Sequence, residues 1–250
     1  VNAAHFEYVQ RLGDNALILG QRLSEWCGHS PFLEEDIAMA NTALDLIGRA
    51  RMLYSHAAAL EGKGRDEDAL AYGRDERQFG NFLICELPNG DYAATLIRQY
   101  LVDAYHHALY KALCASSDAT LAAIAGKAVK ECAYHLRRSG DWVVRLGDGT
   151  ADSHARCQAA LDEVWAYTAE MFNGDAVDDA MAAAGIGVAP ASMAAAWRDE
   201  VEAHLALATL TAPRDDWSAS GGRQGLHTEH MGRLLAELQF VQRAYPGQKW

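Results

Sequence analysis

The chain has 250 residues, half of them apolar and 22% charged, which places it with globular rather than disordered proteins. Its formal net charge of −12 argues against a nucleic-acid partner, because phosphate binding needs clustered Lys and Arg. No run of about 18 or more uncharged apolar residues occurs, so no transmembrane helix is expected.

The opening Val1-Asn2-Ala3-Ala4-His5 lacks the basic-then-apolar order of a signal peptide, so a cytoplasmic location is expected. Five cysteines (Cys27, Cys85, Cys114, Cys132 and Cys157) are odd in number and contain no Cys-x-x-Cys, which fits reduced, buried thiols.

All five prolines separate periodic segments, and strand-like alternation is almost absent. The periodicity predicts long helices at about 5–27, 33–61, 91–116, 118–146, 152–172, 190–210 and 224–244, with short ones near 66–84 and 175–185. Ser30-Pro31 ahead of Glu34-Glu35-Asp36, and Asn89-Gly90-Asp91, read as helix starts. Gly147 with Gly149, and Gly174, read as stops. In the second helix Ile37, Ala40, Leu44 and Ile47 form the expected core stripe, while Asp45 and Arg49 stand four apart on another face. The third helix carries Leu96, Tyr100, Asp103 and His107 on one side. The segments 62–68 and 217–222 read as exposed loops. Long helices joined by short turns favour antiparallel neighbours. The expected fold is therefore all-α, an up-down bundle with additional peripheral helices, in a single domain over residues 1–250.

The chemistry concentrates in Glu131-Cys132-Ala133-Tyr134-His135. A Glu three residues before a His puts both on one helix face, where a four-helix bundle can hold two irons. Here Cys132 holds the position three before His135, and Glu131 is one residue off. Other patterns compete: Asp103-Ala104-Tyr105-His106 is an acid-x-x-His sequence, and His227-Thr228-Glu229-His230 offers two histidines three apart. In the latter, Thr228 and Glu229 more readily support a helix start. Asp45–Arg49 and Glu131–His135 also fit plain i,i+4 helix pairs worth a few tenths of a kcal/mol each, on the order of 0.3. Gly185-Ile186-Gly187 has no strand before it, so it is no nucleotide fingerprint. No Gly-x-Ser-x-Gly elbow is present.

Three blocks carry a resemblance: Leu44-Asp45-Leu46-Ile47-Gly48-Arg49-Ala50, then Lys130 to Arg137, then Gly225 to Gly232, together with the closing run Leu238 to Gly247. From about residue 8 to the C-terminus the chain resembles the C-subunit family of ring 1,2-phenylacetyl-CoA epoxidase. The resemblance implies a ferritin-like fold, similar to the iron-bearing A subunit of that complex but without its metal ligands. It implies no catalytic, cofactor or metal residues in this chain. Against the A subunit's Asp-Glu-x-Gly-His pattern, Leu46 stands at the bridging Glu and Arg49 at the His. The first-helix Glu falls near Ala16, with Asp14 close by, and the helix-four Glu falls on Cys132. Asp103 and His135 remain. In place of metal, the reading is a structural polar network of Arg49, Asp103 and Glu131.

The resemblance further implies a non-catalytic structural subunit that stabilises and positions the catalytic A subunit, with a small B subunit in the core. The complex makes the ring 1,2-epoxide of phenylacetyl-CoA from O2 and NADPH. The di-iron centre resides in A, which mainly binds the phenylacetyl-CoA, while FAD and an iron–sulfur centre reside in a separate reductase subunit. Trp26, Trp142 and Trp197 are candidate interface anchors beside their core-packing reading. The alternatives are a ferritin-like di-iron oxygenase or oxidase in its own right, and a stand-alone acyl-CoA-binding bundle.

Overall fold

The computed structural model describes residues 2–214 and 217–248, and every regular element among them is helical. In chain order these are α1 (Asn2–Ser24), α2 (Leu33–Glu61), α3 (Glu67–Tyr72), α4 (Leu83–Glu86), α5 (Tyr92–Leu113), α6 (Ala119–Gly147), α7 (Ala151–Val164), α8 (Ala176–Ala183), α9 (Ala194–Leu207), α10 (Glu229–Leu238) and α11 (Phe240–Ala244). They fall into two compact units, Val1–Pro88 with Ser220–Trp250, and Asn89–Ala219.

The first unit is built on the antiparallel pair α1–α2. Two glycines set its close approach. A Cβ on Gly13 would lie 2.7 Å from the Tyr54 ring, and one on Gly20 would lie 3.2 Å from Leu46 and Ile47. The face of α2 turned inward carries Glu35, Met39, Thr42, Leu46, Arg49 and Leu53, which recur at three- and four-residue steps. This corrects the stripe read from sequence. Ile37 and Leu44 are 53% and 65% exposed and form an outer ridge, whereas Ala40 and Ile47 are half-buried. Ser30 does not cap α2 either. Phe32 holds the cap position without a side-chain bond, and the acidic first turn Glu34, Glu35 and Asp36 meets the positive end of the helix dipole. The predicted 66–84 helix divides into α3, a 3-10 turn at Glu76–Gln78, and α4. The predicted 224–244 helix begins only at α10, where the Thr228 hydroxyl accepts from the His230 N–H. Ahead of it Gly225 sits at φ +73°, and a Cβ there would meet the Arg77 carbonyl oxygen at 2.3 Å.

In the second unit α5 is the central helix, buried on nearly all sides from Ala93 to Tyr110. Its buried circumference mixes apolar side chains with Arg98, Gln99, Asp103 and His106. Asp91 caps α5 and Asp118 caps α6. The pair runs antiparallel: Ser139 of α6 faces Asp103 of α5, and Trp142 meets Tyr92 edge-on at 5.7 Å. α9 locks onto both. The Trp197 indole donates to the Leu101 carbonyl at 3.1 Å, and His204 stacks on Tyr100 while Nε2 lies 3.0 Å from the Gly140 carbonyl. Trp197 is therefore a core residue of this unit, not an exposed anchor. The predicted 152–172 helix ends at Val164 and continues as 3-10 turns, and Pro190 opens a 3-10 turn ahead of α9. All five cysteines are free thiols; Cys85, Cys132 and Cys157 are buried as expected, whereas Cys27 and Cys114 are exposed.

Candidate functional site

Ala16 on α1, with Leu46 and Arg49 on α2, are all buried in the first unit. Arg49 is wholly so, which removes the reading of Asp45–Arg49 as an exposed pair. Asp14, the acid nearest Ala16 in sequence, has its own set of partners. Its carboxylate accepts the Tyr54 hydroxyl at 2.6 Å, the Gly80 N–H at 2.8 Å, and both terminal nitrogens of Arg74, Nη1 at 3.1 Å. Arg74 also donates to the Leu70 and Gln78 carbonyls at 2.6 and 2.7 Å, and its guanidinium lies 4.0 Å over the Phe79 ring. Burial pushes the Tyr54 hydroxyl well above its ordinary pKa, and the Asp14 charge adds to it. Burial works against the charge on Arg74, but Asp14 and Tyr54 outweigh it and hold Arg74 above its usual value. Asp14 is thus committed to a buried ion pair between α1 and the 70–80 segment.

Asp103, Cys132 and His135 are buried in the second unit. Each Asp103 oxygen accepts a hydrogen bond: Oδ1 from Gln99 Nε2 at 2.8 Å and Oδ2 from the Ser139 hydroxyl at 2.8 Å. Sequence reasoning misses Gln99 and Ser139, although each stands four residues from a named site position, at Asp103 and His135 respectively. Glu131 lies on the flank of α6, where Lys127 sits 3.5 Å away with its own side chain 61% exposed. His106 is buried, its ring near those of Tyr105 and Tyr110.

A two-iron centre in such a bundle draws on carboxylates and imidazoles from four helices. Here Ala16 and Leu46 offer hydrocarbon, Arg49 a permanent cation and Cys132 a thiol. Asp103, one of the two remaining donors, already has both oxygens engaged. The residues present do not fit a two-iron centre.

The segment His227-Thr228-Glu229-His230 opens a helix, as expected. Thr228 caps α10, and the His227 ring is shielded from solvent against Glu86. Glu86 itself lies at the end of a four-residue helix that gives no signal in the sequence.

The model of the phenylacetic acid catabolic protein family matches residues 1–250. The chain is 53% identical to the C subunit of 1,2-phenylacetyl-CoA epoxidase from Escherichia coli (strain K12), over 243 residues that cover 97% of this chain and 98% of that protein.

Proposed function

We infer the role of this chain from one premise: it belongs to the phenylacetic acid catabolic protein family, with an all-α, ferritin-like fold. It acts in phenylacetate catabolism as part of an epoxidase complex. Within that complex its role is structural: it stabilises and positions the di-iron A subunit, alongside the small B subunit and an NADPH-dependent reductase, and holds no metal or cofactor itself. What supports this most is that Ala16, Leu46, Arg49 and Cys132, which the resemblance sets at four donor positions, are all buried. A buried hydrocarbon and a buried cation cannot be turned into ligands by a small side-chain motion.

The outer ridge of α2 supports the assembly role. Leu33, Ile37 and Leu44 lie within about 40° of one another around the helix, and Leu33 is 71% exposed. Exposed apolar side chains aligned along one helix face mark a protein interface more often than a solvent face. The occupant of this ridge is another subunit of the epoxidase.

Co-expression with the catalytic subunit, followed by size exclusion, tests the reading. The two chains co-elute; absence of co-elution overturns the structural-subunit role. Ile37→Asp with Leu44→Asp abolishes co-elution and leaves the helical circular dichroism of the isolated chain unchanged. Co-elution that survives both changes removes the ridge from the interface. The chain purified alone and supplied with Fe(II) retains no stoichiometric iron and consumes no O2. Tight iron binding with oxygen uptake would establish a ferritin-like oxidase instead.

A further inference from the structure

His227 stands immediately before α10, with its side chain fully shielded, and so is that of Glu86. Both ring nitrogens face acceptors. Nδ1 lies 2.8 Å from Glu86 Oε2, and Nε2 lies 3.1 Å from the Phe79 carbonyl oxygen. A neutral imidazole has one N–H and satisfies one of these; the imidazolium satisfies both. Glu86 gathers two further donors, the Asn81 side-chain amide at 2.9 Å and the Thr228 N–H at 2.5 Å. From α1, Arg22 donates to the Glu86 backbone carbonyl at 3.0 and 2.8 Å, reaches the His230 carbonyl of α10 at 3.5 Å, and pairs with Glu25. Glu76, on the neighbouring 3-10 turn, adds the field of a second negative charge at the ring. The acceptors on both sides of the ring, and the carboxylate that receives three donors, are arranged for a charged histidine.

We infer that His227 is a proton-operated latch: as an imidazolium it pins the segment carrying α10 to the 79–86 segment, and loss of one ring proton lets that segment open. Burial opposes the charge, but the Glu86 hydrogen bond and charge, the Phe79 carbonyl and Glu76 outweigh it and lift His227 above its ordinary value of 6.5. A raised folded-state value fixes the direction. The stabilisation is complete below the free-histidine value, falls as pH rises past it, and is gone above the folded value. Between the two values the opening constant grows up to about tenfold per pH unit. The latch rests on contacts within one unit and stands independently of the epoxidase reading.

The full chain, labelled with 15N-histidine, tests it. In the imidazole spectrum His227 carries protons on both nitrogens at pH 6.5 and loses one only at a higher pH. Hydrogen exchange of the α10 amides, corrected for intrinsic pH dependence, accelerates through the same inflection. His227→Gln flattens that acceleration, and Glu86→Gln moves the inflection down. A wild-type His227 that is neutral at pH 6.5, or α10 opening that is the same function of pH in wild type and His227→Gln, overturns the latch. The wild-type spectrum decides the matter alone if a variant fails to fold.

Discussion

Asp14→Ala is the sharpest probe of what holds the first unit together. The substitution removes a fully buried carboxylate and leaves Arg74, itself 3% exposed, without its counter-charge. It also strips the acceptor from the Tyr54 hydroxyl and from the Gly80 N–H. Breaking one side of a buried ion pair costs about 3–5 kcal/mol, because the surviving charge stays out of water. For a chain of this size that corresponds to a fall in Tm of roughly 6–20 °C, at about 2–4 °C per kcal/mol. Arg74→Met is destabilising too, since it forfeits the bonds to Leu70 and Gln78 and the stacking on Phe79. The double variant, Asp14→Ala with Arg74→Met, therefore costs less than the sum of the single ones, by about 0.5–3 kcal/mol. Urea unfolding of the four proteins, followed by circular dichroism, gives the cycle directly. Single-variant effects that add to within about 0.5 kcal/mol would refute the ion pair as the organising contact.

Other outcomes follow from the same contacts. Arg49→Ala weakens folding or assembly, and any loss of epoxidation tracks loss of the complex; full assembly with inactive chemistry would assign Arg49 a direct catalytic part instead. Gly147→Ala places a Cβ 2.3 Å from the Ala208 carbonyl oxygen, backbone against backbone, and destabilises by about 1–3 kcal/mol or more in thermal melts. Burial, with Asp91 adding, pushes the Cys157 thiol up to about 11, so iodoacetamide at mildly alkaline pH labels Cys27 and Cys114 and spares Cys157 in mass spectra. We also propose that residues 1–250 act as one domain, which calorimetry checks as a single transition with equal calorimetric and van't Hoff enthalpies; two separable transitions would refute it.

The bounds of α2, α5, α6 and α8 are legible to within about three residues because their signals are local. Asp91, Asp118 and Asp175 accept the first amide hydrogens, and α6 ends at Gly147 with Asp148 as its cap. Where helices give way to 3-10 turns after Val164, or to the short pieces between residues 66 and 86, periodicity alone overextends them. The composition of the candidate metal positions is equally legible: a leucine, an arginine, an alanine and a cysteine do not make a two-iron ligand set wherever the chain carries them.

The sequence by itself determined most of the helical elements, through local periodicity, and the family, through the resemblance. Only the tertiary structure decided which face of α2 is buried. The buried face carries Glu35, Thr42 and Arg49, so it looks less apolar than the ridge of Leu33, Ile37 and Leu44 that the fold leaves outside. Only the fold, likewise, supplied Asp14 with an arginine 60 residues away and Glu86 with a histidine 141 residues away. Hydrophobic period records how a helix divides its surface between apolar and polar. Which side meets protein, and which buried charge finds a partner, is settled by segments that no local window contains.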